Sequence, residues 1–342
     1  MKRIVCYASF FLLLTLCAAA QSYTVTAIGL SGWEAGGLGI NPQGNVSGEL
    51  FANAKAYGLF WSPTQGALVL PTVRRGYSSY GTGINSKNVV CGFGTYNSTG
   101  RTHGLIWTNG FVQDLGTLPG GTTSWANGIN SAGQIAGASD SSASGPHAIT
   151  WSATAGMTDL GVLPGGIFSW GASINRFGQV VGYSLNVDSS ESAFLWSKTN
   201  GMLKLASLPG GSESKANAIN DLGEIVGTSG CGYNCLHAVL WGKTPGSILD
   251  LGTLPGSNGS EALGINDLGE VVGWTYSLGH AFLWTEATGM QDINVLIPAD
   301  SGWTIVSATA INNRGQIIGQ GQSCCGLGLQ ALLLTPAASA RE

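Results

Sequence analysis

The chain has 342 residues, of which 54 are Gly and only 9% are charged, against ~25% in an ordinary soluble domain; this excludes a disordered, charge-solvated chain. The formal net charge is −4, from 14 basic and 18 acidic residues, and no basic run follows residue 3. The positive face that neutralises phosphates is therefore missing, and nucleic acid is not an expected partner. Mean hydropathy is +0.19, yet after residue 20 no stretch approaches the ~18 apolar residues of a spanning helix, so a soluble body without a membrane span is expected.

Residues 1–20 read as a secretory signal peptide. Lys2 and Arg3 precede an apolar run from Phe10 to Leu16, and Ala18, Ala19 and Ala20 are the small residues a signal peptidase accepts. Cleavage after Ala20 removes both basic residues and takes the net charge to −6. A lipoprotein anchored at Cys17 is the less favoured alternative, because Leu16 is bulky where a small residue is needed. Secretion to the cell envelope or the extracellular space sets an oxidising compartment in which disulfides persist.

From residue 21 to 336 one unit recurs. An Ile-Asn pair places Asn at 41, 85, 130, 175, 220, 266 and 312, seven copies with a period of 44 to 46 residues. Before each Asn, the residues two and four back are all Gly, Ala or Ser, from Gly39 and Gly37 to Ala310 and Ala308. Alternate residues of a strand share a face, so this strand is expected to present one nearly bare face where sheets converge. Three residues after the Asn comes Gly44, Asn88, Gly133, Gly178, Gly223, Gly269 or Gly315, marking a tight turn with a left-handed residue and the Asn side chain capping its start. Seven residues after the Asn, Gly recurs in every copy, from Gly48 to Gly319.

A second strand follows the turn, as in Gln179 to Gly182, then an aromatic third, as in His280-Ala281-Phe282-Leu283-Trp284. A fourth, such as Met157 to Gly161, leads into Pro-Gly turns at Pro119, Pro164, Pro209 and Pro255. Four strands per repeat with a small-residue strand near the axis argue for an all-β, seven-bladed β-propeller. The opening segment Tyr23 to Gly29 aligns with a fourth strand and the closing segment Gln330 to Leu334 with a third. The first is thus expected to complete the last blade and hide its open edge, leaving residues 337–342 as a short tail. An open β-solenoid is the alternative and leaves both ends unpaired.

His280-Ala281-Phe282-Leu283-Trp284, Met157-Thr158-Asp159-Leu160-Gly161 and Gln179-Val180-Val181-Gly182-Tyr183-Ser184 resemble the bacterial extracellular HAF repeat family, named from that His-Ala-Phe. The resemblance covers residues 23 to 336 and departs at Tyr57-Gly58-Leu59, Ser192-Ala193-Phe194 and Gln330-Ala331-Leu332. It implies an exported repeat protein and no assigned chemistry, so no catalytic residue is carried over.

Recurrence separates architecture from function. His103, His147, His237 and His280 hold one place in their repeats, as do Trp61, Trp107, Trp151, Trp196, Trp241 and Trp284, and also Asp114, Asp159, Asp250 and Asp292. The histidines are expected to bond a neighbouring blade's backbone, and the tryptophans to pack the core. One register varies instead: five places before each Asn stand Gly36, Tyr80, Trp125, Trp170, Lys215, Glu261 and Ser307. On a propeller these surround one mouth of the channel, beside the variable loops Ser139 to Pro146 and Ser184 to Glu191. Loops on a rigid scaffold are where binding resides, so Tyr80, Trp125, Trp170, Lys215 and Glu261 are the candidate ligand-binding residues, suited to stacking on a sugar or aromatic group with charges for polar contacts. The competing reading has the aromatics merely covering the entry turn.

Three function classes fit: a secreted scaffold binding an extracellular glycan or protein, a structural or adhesive surface protein, and an extracellular carbohydrate-active enzyme. The last would draw a carboxylate pair from Glu34, Asp140, Asp188, Glu191, Glu213, Glu261 and Asp300. No Gly-x-Ser-x-Gly elbow, His-rich metal motif or phosphate-cradling loop is present, so neither a cofactor nor a metal is expected, and the molecule is expected to be a monomer. Cys231 and Cys235 bracket a span short enough for a local disulfide; zinc would need two ligands more than they supply, and His237 is only one. Cys324 and Cys325 invite a vicinal bridge or separate pairing, and Cys91 reads as a buried free thiol.

Overall fold

The small-residue strands sit side by side around a narrow axis, and each repeat fans outward from that axis as one four-stranded antiparallel sheet. The computed structural model describes residues 22–73, 76–96, 100–142, 145–242, 246–324 and 328–337. The expected signal segment, residues 1–20, most of the tail and Cys325 lie outside the described residues. There are seven such sheets among the described residues, giving a seven-bladed β-propeller. In blade 3 the strands run Ser124–Ile129, Ile135–Ser139, His147–Ser152 and Gly156–Asp159 from inside to outside. No described helix is long and apolar enough to cross a membrane.

Blade 7 consists of Trp303–Ile311, Ile317–Ser323 and Gln330–Pro336, with Tyr23–Ile28 as its outermost strand. Tyr23 faces Pro336 and Ile28 faces Ala331 in antiparallel register. The ring is thus closed by the chain's own beginning, and the edge of Gln330–Pro336 has a partner.

A second closure runs through the turn asparagines. The Asn130 Oδ1 accepts the backbone N–H groups of Ala132 and Gln134 at 3.1 and 2.9 Å. Its Nδ2 donates to the carbonyl of Asn175, in the next blade, at 3.0 Å. The same step joins every neighbouring pair, and Asn312 donates to the Asn41 carbonyl at 3.0 Å, completing a circle of seven bonds. The residue three after each Asn has positive φ, from 60° at Asn88 to 84° at Gly44, as the turn requires.

The bare strand face is corrected by a β-bulge. Between the two small positions the register shifts in every blade, so that Gly37 pairs with Gly48 while Gly39 pairs with the adjacent Ser47. The two small rows therefore point to opposite faces of their sheet. A Cβ on Gly37 would overlap Ile318 of the preceding blade, and one on Gly39 would approach Gly83 of the following blade. The first row is small because it meets the second strand of the preceding blade, and the other because it meets the inner strand of the following one. The bulge also explains the glycine seven after each Asn: a Cβ at Gly48, Gly92 or Gly137 would overlap the carbonyl oxygen of Gly36, Tyr80 or Trp125.

Apolar clusters fill the wedges between blades, as where Val181 and Ala193 of blade 4 meet Ala216, Ile225, Val239 and Trp241 of blade 5. Trp107 and Trp241 are buried, and their Nε1 groups donate to the carbonyls of Pro71 and Ala206. The histidine expectation is overturned. His103, His147, His237 and His280 each bond through Nδ1 to Asp114, Asp159, Asp250 or Asp292 of the same blade, at 2.7 to 3.0 Å. Ile149 pairs with Asp159, so His147 is that carboxylate's diagonal neighbour on one sheet face, within reach of a long side chain. The contact between blades falls instead to a buried serine. The Ser169 hydroxyl accepts the Ala148 N–H at 2.7 Å, and Ser79, Ser124, Ser214 and Ser260 act alike.

Candidate ligand-binding mouth of the channel

Residues of the inner strands around each bulge, from Leu38 to Ile40 in blade 1 through Thr309 to Ile311 in blade 7, line a central channel of about 220 Å³. Several bulge residues also tie neighbouring blades. Thr82, Asn127, Asn217 and Thr309 donate to the carbonyls of Ala126, Gly171, Ala262 and Gly37, at 2.7 to 2.9 Å. The variable register stands two residues farther from the Asn turns, at the opposite end of the channel.

There the inner strand pairs with the residue following the invariant Gly of the second strand. Gly36, Tyr80, Trp125, Trp170, Lys215, Glu261 and Ser307 face Glu49, Phe93, Ala138, Tyr183, Thr228, Trp274 and Gln320. The second series also varies from copy to copy. The sequence reading missed it, although its signal, one variable position after a recurring Gly, was present.

The structure joins six of these residues, Trp125, Trp170, Tyr183, Lys215, Glu261 and Trp274, into an arc. Trp125 and Trp170, from adjacent blades, lie with ring centroids 5.0 Å apart, and Phe168 links Trp170 to Tyr183 at 6.2 and 6.0 Å. The Lys215 Nζ sits 4.9 Å from the centre of the Tyr183 ring and 2.7 Å from a Glu191 carboxylate oxygen. Burial lowers the Lys215 pKa, but Glu191, Tyr183 and Glu261 together hold it above its ordinary value. Glu261 accepts from Asn217 at 3.0 Å, from the Trp274 indole at 3.3 Å and from the Tyr276 hydroxyl at 3.4 Å. Burial and the Glu261 charge push the Tyr276 phenol up to about 12.

Tyr80 stands apart from the tryptophans, stacked on Phe93 at 4.7 Å. Its neighbour is Glu49, whose carboxyl burial pushes up to about 7 and which has no hydrogen-bond or ion-pair partner among the described residues. Glu49 fits because residue 36 is Gly: a Cβ there would stand 2.9 Å from a Glu49 oxygen and 2.7 Å from the Gln320 amide nitrogen.

The other carboxylates divide. Asp140 receives the backbone N–H groups of Thr122 and Thr123 at 2.7 and 2.8 Å, which anchors a connecting loop. Asp188 caps Ser190 at 2.9 Å. Glu191, Glu213 and Glu261 line a cavity of about 120 Å³ with Lys215, Thr228 and Tyr276. The disulfide joins Cys231 to Cys235, with Cα atoms 5.2 Å apart, across a hairpin beside this cavity. His237 is the third member of that cysteine group, short of the four ligands of a structural zinc site. Cys91 is buried and reduced, its thiol pushed up to about 12 by burial.

No family model and no curated protein matches the chain. Among solved structures, an oligogalacturonate lyase in complex with manganese aligns with a TM-score of 0.62 at 11% identity, covering 95% of this chain and 96% of that one. Virginiamycin B lyase from Staphylococcus aureus aligns at 0.58 and 11% identity, covering 92% and 100%. Oligogalacturonate lyase from Vibrio parahaemolyticus aligns at 0.56 and 9% identity, covering 93% and 94%. At such identities these structures share the propeller fold with this chain and nothing finer.

Proposed function

We propose that the protein is an exported scaffold of the cell envelope or extracellular space that captures an extracellular ligand, a glycan foremost, at the channel mouth. The signal-like residues 1–20 and the resemblance to extracellular HAF repeats support the address. The observation that carries the binding reading is the arc itself. On a ring built from seven copies of one unit, Trp125, Trp170, Phe168 and Tyr183 form one linked aromatic surface that ends at the charged group of Lys215, Glu191 and Glu261. Flat rings beside fixed polar groups are what a sugar needs, its apolar face stacking while its hydroxyls find donors and acceptors.

Glycan-array screening followed by titration on tryptophan fluorescence tests the reading. Stacking at ~1 kcal/mol or more per aromatic pair makes the double variant Trp125→Ala with Trp170→Ala bind at least tenfold more weakly at an unchanged melting point. Unchanged affinity in the folded variant removes the site from the mouth, and collapse of the fold assigns both tryptophans to packing. Glu49 favours a second, enzymatic reading, since an unpaired carboxyl titrating near neutral pH is what a general acid requires. Product release from a polysaccharide panel, abolished by Glu49→Gln, would establish it.

A further inference from the structure

Lys215 shows how this mouth holds an ammonium group. Its Nζ lies between a carboxylate, Glu191 at 2.7 Å, and an aromatic face, Tyr183 at 4.9 Å, the pairing of charge and ring that favours cations over neutral groups. On the blade beyond Lys215 a carboxylate and aromatic rings recur around the same cavity, with Lys215 ion-paired to Glu191 rather than to this second carboxylate. Glu261 is fixed by three neutral donors, the Asn217 amide, the Trp274 indole and the Tyr276 hydroxyl. The Trp274 and Tyr276 rings meet at 4.8 Å, edge to face. No described cation comes within ion-pair distance of Glu261, and Glu213 stands exposed at the same cavity rim.

The cavity at this point is about 120 Å³, the share of roughly four liquid waters, which suits an amino group with part of its hydration. Around it stand three carboxylates and one ammonium, an excess of two negative charges. Against the lowering effect of burial, Glu191, Tyr183 and Glu261 hold the Lys215 pKa above its ordinary value, and burial first, with Glu261 and Glu213 adding to it, pushes the Tyr276 phenol up to about 12. The neighbouring disulfide between Cys231 and Cys235 steadies the hairpin whose Leu236 closes one wall.

We propose that the Glu261 side of the mouth binds a primary ammonium group, so that the ligand class is an oligosaccharide of free amino sugars, stacked on Trp125 and Trp170 and anchored by its amine at Glu261 and Glu213. This rests on the glycan reading of the mouth and narrows it. A neutral sugar satisfies the aromatic arc alone. An amino sugar also neutralises the surplus carboxylate charge.

Calorimetric titration of the full exported chain with a β-1,4-linked glucosamine tetramer, and with its fully N-acetylated counterpart, decides the matter. The amine form is expected to bind at least tenfold more tightly, with affinity falling as salt rises from 50 to 500 mM because the contact is ionic. Glu261→Gln is expected to remove that preference, and Glu213→Gln, at an exposed position without a packing role, to reduce it while the melting point stays unchanged. Equal affinity for both tetramers overturns the ammonium assignment while leaving the glycan reading intact. Binding of neither tetramer, with a neutral glycan captured on the array, also overturns it, and a silent array removes the glycan reading as well. A lysine tripeptide bound as tightly as the amino-sugar tetramer overturns the sugar assignment in favour of a peptide.

Discussion

Removing one link of the asparagine circle tests how the ring is held. Asn130 is 5% exposed, and besides donating to the Gln134 side-chain oxygen its side chain engages three backbone groups, two N–H of its own turn and one carbonyl of the next blade. Asn130→Ala strips a partner from all three. A buried group left unpaired costs about 1 to 3 kcal/mol; Ala132 is exposed and Gln134 half-buried, so water recovers part of two of them, and about 2 to 4 kcal/mol remains. Asn130→Asp separates the two functions of the side chain. It keeps the acceptor for the turn but sets a carboxylate oxygen against the Asn175 carbonyl. Its folded-state pKa is therefore raised, and the stability carried by the protonated form is complete below the unfolded pKa of ~3.9 and lost as pH rises through the folded value. Urea midpoints at pH 3.5 and 7.5 are the assay. The Asp variant should match the Ala variant or fall below it at pH 7.5 and recover toward the parent at pH 3.5, each compared with the parent at the same pH. A loss below ~1 kcal/mol in the Ala variant, or an Asp variant without relative recovery in acid, would refute the circle as a source of stability.

Four further outcomes follow from the same packing. Ala216→Leu or Ala262→Leu, at positions with no exposure, should lower the unfolding free energy read from denaturant titration by ~1 to 3 kcal/mol or more; His237→Ala, which loses one half-exposed bond to Asp250, should lower it by only ~1 kcal/mol. Deleting residues 21–30 removes the strand paired with Ala331 to Pro336 and should lower the melting temperature by several degrees and promote association through the freed edge, visible by light scattering. Glu49→Gln should equal the parent at pH 4 and exceed it at pH 8 by about 1 to 2 kcal/mol in chemical denaturation, because a carboxyl with its pKa raised to about 7 destabilises the fold once ionised, discounted here for residual solvent contact. Ser47→Ala removes a buried hydroxyl that has no hydrogen-bond partner among the described residues and should raise the unfolding free energy by ~1 kcal/mol.

The period of the Ile-Asn pair, the four strands per copy and the phase of the two chain ends are local or additive properties. They led from the amino acids alone to seven blades and to the pairing of Tyr23–Ile28 with Gln330–Pro336. The turn chemistry was legible for the same reason, since a positive φ and an Asn cap are decided within five residues. The ring of Tyr80, Trp125, Trp170, Lys215 and Glu261 was visible because it broke a strong repeat.

What the sequence did not disclose depends on registry between strands and on distances across blades. A one-residue bulge sends Gly37 and Gly39 to opposite faces, and alternation along a strand carries no mark of where it slips. The same slip explains the recurring Gly48 and its equivalents, whose Cβ would meet a carbonyl oxygen. Which group an Asn amide or a Ser hydroxyl reaches is set by the spacing of neighbouring sheets, and which a His ring reaches by the register within its own sheet, so the circle of asparagines, the four His–Asp pairs within single blades and the serine bonds between blades emerged only when the sheets were placed. Glu49, Tyr183, Trp274 and Gln320 joined the mouth in the same way. Each is an ordinary strand residue until cross-strand pairing sets it beside the inner ring, where burial and the surrounding charges give it its chemistry.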